Sequence, residues 1–403
     1  MMLSLLFPSL FLLVLSALTS AQDPHLKKYT ISSPGIKVTI IPFGATTTSV
    51  IVEDKNGDPR DVAVGYDDPA AYVKDTATVH TFFGSIVGRY INRIKNGTFS
   101  LNGEQYQIPK NEHNGLNTLH GGDVGYDRRN WTVVSFNKTT ITFSLLDLAY
   151  EGFPGNVVNY ATFAVGPDAV SGSPSWTISI VSLPLDKPTP IMLSTHVYWN
   201  LGAFSTKSSQ QVLKDTLHMP YAARYIKGDN IQIPTGEIGV VKSPKEFGAS
   251  LDFTKPKTIG RDIAKAVDAC GFNCTGYDNA FILDRPVTSL PSSQDISVLT
   301  MSSPDTGIQM DVYTNQQSIQ LYTCDKQDGS IPLKQSQRIK GGSKQDGFVQ
   351  QYGCAVIEQQ GWIDGINHPE WGQDRFQIFS PETGPAVAWT KYEFSIAEGA
   401  KKK

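Results

Sequence analysis

Charged side chains are scarce in this chain. Asp, Glu, Lys and Arg make up 18% of its 403 residues, and the formal net charge is only −3. No basic stripe interrupts that balance, which argues against nucleic acid as a partner, since its backbone is held by clustered Lys and Arg. Long apolar runs are nearly missing too: residues 3–18 form one, and no second of comparable length follows. Once an N-terminal leader is removed, no membrane partner is expected. Cysteine stops at four, and no paired Cys or His spacing completes a zinc site around Cys270 and Cys274. Motifs for a nucleotide, a metal or a covalent nucleophile are absent, so neither a cofactor nor a metal is expected.

Residues 1–21 read as a secretory signal peptide, an apolar core followed by the small residues Thr19-Ser20-Ala21 before Gln22. Its leading segment has no Lys or Arg, and the alternative is an uncleaved anchor, for which the apolar run is short. Asn96-Gly97-Thr98, Asn130-Trp131-Thr132, Asn137-Lys138-Thr139 and Asn273-Cys274-Thr275 are N-glycosylation acceptors. An even number of cysteines suits an oxidising compartment. The expectation is a secreted, extracellular glycoprotein, a monomer or weak dimer.

Strand signals dominate from residue 28 onward. Residues 37–41 and 48–52 are β-branched runs around a Gly-containing turn, and residues 98–101 and 105–108 alternate apolar with polar around Asn102-Gly103, a strong hairpin signal. Residues 131–136 and 140–146 flank Asn137-Lys138 as a second hairpin. Later strands fall at 176–183, 318–323, 354–359 and 386–394. Helical periodicity is rare, with residues 260–269 the best candidate. This pattern predicts an all-β protein, a large antiparallel β-sandwich with few short helices, occupying residues 22–403 as one domain. The polar stretch 325–347 reads as a long loop, either a lid or an insertion without function. Cys324 and Cys354 lie at its two ends, so a Cys324–Cys354 disulfide would close it and leave Cys270 with Cys274; four free thiols are the alternative.

Two runs concentrate planar, many-handed polar groups: Gly88-Arg89-Tyr90-Ile91-Asn92-Arg93-Ile94, and Asn114-Gly115-Leu116-Asn117-Thr118-Leu119-His120-Gly121-Gly122. Such groups suit a ligand covered in hydroxyls. Further on, His196 lies in Ser194-Thr195-His196-Val197-Tyr198-Trp199, where strand alternation puts Ser194, His196 and Tyr198 on one face. By local context alone it reads as a hydrogen-bonded structural histidine. Glu358 ends the apolar run Val356-Ile357-Glu358; it is either solvated at a strand end or a general base in a partly desolvated cleft.

These runs resemble the aldose 1-epimerase (galactose mutarotase) family. The resemblance extends through Glu151-Gly152-Phe153-Pro154-Gly155, the block around His196, Pro234-Thr235-Gly236-Glu237, Gly276-Tyr277-Asp278-Asn279-Ala280-Phe281, Gln320-Leu321-Tyr322-Thr323, and Glu358-Gln359-Gln360 with Asp364-Gly365-Ile366-Asn367-His368-Pro369, all in family order. It implies the family's supersandwich fold, a small aldose as partner, and anomer interconversion. It further implies His196 as catalytic acid and Glu358 as catalytic base, facing each other across a sugar-sized gap, with Arg89, Asn92, His120, Asp278 and Gln320 binding the sugar. Thr195, Asn279 and Trp199 depart from the family's usual residues, which leaves the preferred aldose open. The ordinary pKa values of Glu (~4.3) and His (~6.5) let carboxylate and imidazolium coexist at mildly acidic pH. Two alternatives stand beside this reading. A hexose-6-phosphate epimerase would need a cationic cluster, to which Arg89 and Arg93 are the candidates. A non-catalytic carbohydrate-binding protein predicts loss of His196 or Glu358, and both are present.

Overall fold

Alternating β-branched and aromatic side chains pair into three large sheets whose inner faces share a core. A computed structural model describes residues 23–244, 247, 249–286 and 296–400; the expected signal peptide lies outside them. The chain opens on a four-stranded sheet, Tyr29–Ser33, Ile36–Ile41, Thr46–Glu53 and Pro59–Asp61. A nine-stranded sheet follows in the spatial order Thr132–Phe136, Thr140–Leu148, Asn156–Pro167, Pro174–Pro184, Ala386–Ile396, Ile308–Thr314, Leu299–Ser302, Thr216–His218, Lys257–Thr258. A six-stranded sheet runs Tyr198–Trp199, Ala355–Gln360, Ser318–Tyr322, Asp278–Ile282, Arg224–Gly228, Pro234–Val240. The ladders in these sheets are antiparallel, as the sequence pattern predicts.

In the nine-stranded sheet, Thr140–Leu148 alternates buried with half-buried or exposed residues, so Ile141, Phe143 and Leu145 enter the core. Trp176 stacks on Tyr392 with ring centroids 5.3 Å apart, and Trp199 of the six-stranded sheet meets the same ring at 5.0 Å. This aromatic cluster bonds the two sheets face to face; truncating such a tryptophan costs about 3–5 kcal/mol.

Both predicted hairpins form. Thr98–Leu101 pairs with Glu104–Gln107, and the turn residues Asn102 and Gly103 both take positive φ (53° and 81°), the type I′ geometry their sequence favours. Thr132–Phe136 pairs with Thr140–Leu148 around Asn137-Lys138. The helix expected over 260–269 does not form. Those residues make two 3₁₀ turns, Ile259–Arg261 and Ile263–Lys265, interrupted at Asp262 (φ −122°, ψ 10°). Ile259, Ile263, Ala266 and Ala269 pack into the core, but neither turn has a capping side chain, and so short a segment needs one to start an α-helix. The α-helix among the described residues is instead Pro69–Thr76, which has the start signal the other lacks: Asp68 caps Ala70 N–H and Pro69 occupies the first turn.

The cysteines pair as Cys270–Cys274 and Cys324–Cys354, with Cα atoms 5.5 and 5.4 Å apart. Cys324 and Cys354 border adjacent strands, so their bridge closes the loop between them; chain entropy gives such a closure about 3–4 kcal/mol. The same loop is pinned midway. Buried Lys334 reaches Asp61 Oδ2 at 2.6 Å and Thr48 O at 2.9 Å, while Gln337 donates to Asp61 O and Ala63 O. It is a fixed wall against the first sheet.

Asp215, between Val212–Lys214 and Thr216–His218, is 3% exposed and carries a buried Oδ2 without a hydrogen-bond partner among the described residues. Burial pushes its carboxyl up to about 8. The folded state therefore holds a proton that the unfolded chain releases near pH 4, and stability falls as pH rises through that window, by up to about 1.4 kcal/mol per pH unit. Asp215→Asn should remove this slope: the Tm advantage of the variant should widen from pH 4 to pH 8 in differential scanning calorimetry.

Candidate active site

The face of the six-stranded sheet turned away from the core carries the titratable groups. In Ala355–Gln360 every residue is buried. Ala355 and Ile357 enter the core, so alternation turns Glu358 to the other side. Gln320 pairs directly across from Glu358, and the next strand brings Asp278 against Gln320, whose Nε2 donates to Asp278 Oδ1 at 2.5 Å. His196 arrives on an irregular segment between the short strands Ser194–Thr195 and Tyr198–Trp199. Its N–H donates to Ser85 O at 2.8 Å, and its carbonyl accepts from Gly84 N–H at 2.9 Å. Gly84 is required there: φ is +65°, and a Cβ would meet Thr47 O at 2.0 Å.

These elements enclose a cleft of about 340 Å³ whose walls include Phe82, Asn92, Arg93, Glu112, His120, His196, Asp278, Tyr322 and Glu358, with residues 326–328 and 330–331 of the long loop along one side. This lies at the small end of the ~300–1,000 Å³ usual for small-ligand sites. His196 and Glu358 are 5% and 3% exposed. His196 Nε2 lies 3.2 Å from Glu358 Oε1, and among the described residues Glu358 Oε2 has no hydrogen-bond partner. The gap expected between them is not there: Tyr198–Trp199 pairs with Ala355–Gln360, which sets both groups side by side on one wall. His120 follows the strand Thr118–Leu119, and its ring stands perpendicular to that of His196 at 5.2 Å.

Arg89 is the expectation the structure corrects. It is 2% exposed but faces away from the cleft: Nε donates to Asp147 Oδ2 at 2.9 Å, Nη2 is in ion-pair contact with the same oxygen at 2.7 Å, and Nη1 donates to Pro154 O and Gly155 O at 2.9 Å each. Asn92, at φ +62°, breaks the strand between the two arginines, so simple alternation fails and Arg93 faces the cleft instead. Arg93 was the residue to find, since it lies in the same motif; only the turn decides between them. Gln320 sits behind Asp278 rather than on the wall. Thr195, Asn279 and Trp199 do not line the cleft: Trp199 is in the core, and Asn279 donates to Ala269 O on the far face. The family departures at these positions therefore lie off the cleft wall. Phe82, which no motif marked, holds φ +59° with its carbonyl accepting from Ser85; its ring lies 4.6 Å from His120 and 5.7 Å from His196.

Electrostatics fix the protons. Asn92 N–H donates to His120 Nδ1 at 3.1 Å, so the neutral ring carries its hydrogen on Nε2. Burial, then the neighbouring His196 and Arg93 charges, holds His120 well below the usual histidine range. Burial opposes the Arg93 charge, but Glu112, Asp278 and Glu358 outweigh it and raise its pKa. His120, His196 and Glu358 have the composition of a metal site and lie close enough together. The Asn92 bond argues against one, because it puts the His120 hydrogen on the nitrogen left to ligate. The other such cluster, Cys270, Cys274 and Asp325, has both sulfurs in the disulfide.

The aldose 1-epimerase family profile matches residues 27–378. The chain belongs to the aldose 1-epimerase family. It is an isomerase, and its substrate class is a small sugar. Among curated relatives, a probable aldose 1-epimerase of Arthroderma benhamiae is 52% identical over 94% of this chain and 88% of its own length. Galactose mutarotase of Bos taurus is 28% identical over 86% and 88%. Of solved structures, an aldose epimerase homologue from C. elegans superposes with a TM-score of 0.73 at 24% identity, covering 92% of this chain and 99% of the other; it shares the fold.

Arg89 and Arg93 of this epimerase should separate in experiment. Arg89→Ala leaves buried Asp147 with Arg129, 3.5 Å away, as its remaining cation, so it should lower stability by up to about 3–5 kcal/mol while the folded fraction keeps its KM. Arg93→Ala should raise KM with a smaller loss of stability. Urea melts alongside steady-state kinetics distinguish the two.

Proposed function

We propose that the enzyme interconverts the α and β anomers of free, neutral aldohexoses such as glucose or galactose. The observation that carries this reading is the 3.2 Å contact between His196 Nε2 and Glu358 Oε1 at the buried end of a polar cleft. The anomeric hydroxyl and the ring oxygen are bonded to the same carbon. One base and one acid side by side therefore reach both, and a wide separation would not serve. Glu358 takes the proton of the anomeric hydroxyl as protonated His196 gives one to the ring oxygen. The C1–O5 bond breaks and C1 becomes an aldehyde. After rotation about C1–C2 the chain hydroxyl attacks the other face, His196 recovers its proton from it, and Glu358 returns one to the new anomeric oxygen. The step is balanced without an external reactant. His120 Nε2–H, Asn92, Arg93 and Asp278 supply donors and acceptors for ring hydroxyls, and Phe82 offers an apolar face to the sugar's C–H groups.

The cationic cluster that a sugar phosphate would need is not assembled, because Arg89 is engaged with Asp147 outside the cleft. For localisation we propose passage through the secretory pathway with cleavage after Ala21. Supporting this are the two disulfides and the exposure of all four acceptor asparagines, Asn96, Asn130, Asn137 and Asn273.

Polarimetry of freshly dissolved α-D-glucose and α-D-galactose tests the activity. Glu358→Gln keeps the shape and removes the base, so kcat should fall by at least about 10²–10⁴ in a protein that still folds; His196→Asn should lose activity alike. Near-normal turnover in either variant would sink the assignment.

A further inference from the structure

The proton-transfer steps and the proposed hydroxyl contacts leave Glu112 unused. Glu112 lines the same cavity as His196 and Glu358 but stands apart from them. A tight loop presents it: the Glu112 carbonyl accepts from Gly115 and Leu116 N–H, and Asn111 ties the loop base to Leu119 and Gly122. Its two oxygens bracket Arg93, each 3.1 Å from Nε, with Oε1 3.0 Å from Nη2. Arg93 Nη1 donates to Asn92 Oδ1 at 3.1 Å, and Nη2 lies 3.8 Å from Asp278 Oδ2. His113 Nε2 stands 3.5 Å from Glu112 Oε1. The fork that would grip a carboxylate or phosphate is thus already held by one.

The remaining charges point the same way. Glu112, Asp278, Asp328 and Glu358 line the cleft against Arg93 and the rim residue Lys326, with His196 adding a positive charge while it holds the proton it donates. His120 is held neutral by its burial and adds no positive charge. A sugar bearing a negative group has to displace Glu112 from Arg93 or lie among like charges.

We propose that Glu112 is the specificity-determining residue of this site, restricting it to uncharged aldoses by occupying Arg93 and repelling anionic sugars. The inference rests on the cleft being the anomer-interconverting site. Matched pairs isolate the charge: glucose against glucuronate, galactose against galacturonate, each differing by CH₂OH against COO⁻ at C6, all followed by polarimetry. The wild type should prefer the hexose, Glu112→Gln should narrow the kcat/KM ratio by about tenfold or more, and Glu112→Asp, which keeps the charge, should retain most of it. Equal losses on both members of a pair would mark Glu112 as merely structural and overturn the proposal, as would a wild type indifferent to the carboxylate. A measurement free of any variant is salt: screening should raise wild-type kcat/KM for the uronate and leave the hexose unchanged, and no salt effect counts against the proposal. A wild type inactive on every neutral aldose refutes the function proposed above instead.

Discussion

A carboxylate in the middle of a strand buried on both faces governs the arrangement around it. Glu358 is 3% exposed, and an ionised group withdrawn from water that far is costly unless partners replace the solvent. The replacement comes from His196 on the neighbouring segment, with Arg93 close enough to act on its field and be acted on by it. Each partner is in turn held. Ser85 and Gly84 fix the His196 backbone, Asn92 orients His120, and Glu112 and Asn92 hold the Arg93 guanidinium. Displacing one member would leave another buried and unpaired, which couples the site's geometry to the stability of the sheet that carries it.

The scaffold supplies that rigidity from outside the cleft. Arg89 ties the Gly88–Ile94 motif to Asp147 and to the carbonyls of the Gly-Phe-Pro-Gly turn, so two sequence blocks that look like ligand-binding signatures bond to each other. Tyr126 and Asn159 extend the network through the Asp147 carboxylate and the Tyr126 hydroxyl. Across the sheet, the Cys324–Cys354 bridge joins the start of the strand that carries Glu358 to the end of its neighbour, and Lys334 anchors the intervening loop to Asp61. Residues of that loop then form one side of the cleft. A long polar insertion thereby becomes a fixed part of the site.

Acid–base chemistry with little net displacement of charge suits such a place. In the proposed reaction one proton would leave the sugar as another arrives, so no large charge would have to be created inside a low-dielectric pocket. The neighbouring groups have separable tasks: His120 is kept neutral by burial and donates, while Asp278 accepts from Gln320 and faces Arg93.

Strand alternation, turn chemistry and the order of the motifs were legible in the sequence, because each depends on neighbours within a few residues. Asn102-Gly103 fixes its hairpin through two positive φ angles, and the alternation about Ile357 sends Glu358 to the face opposite the core once a core exists. The family motifs picked out His196, Glu358, His120, Asn92 and Asp278, all of which come together in one cleft. What required the tertiary structure was direction. Arg89 and Arg93 have the same parity and the same motif, and only the left-handed turn at Asn92 sends one to Asp147 and the other to the cleft. Phe82 lies in a loop whose neighbours His120 and His196 are far along the chain, and Glu112 in a tight locally bonded loop whose side-chain direction no periodicity fixes, so no local pattern marks either for the cleft. The closeness of His196 to Glu358 was likewise not readable, because it follows from how two segments 162 residues apart pair in the sheet.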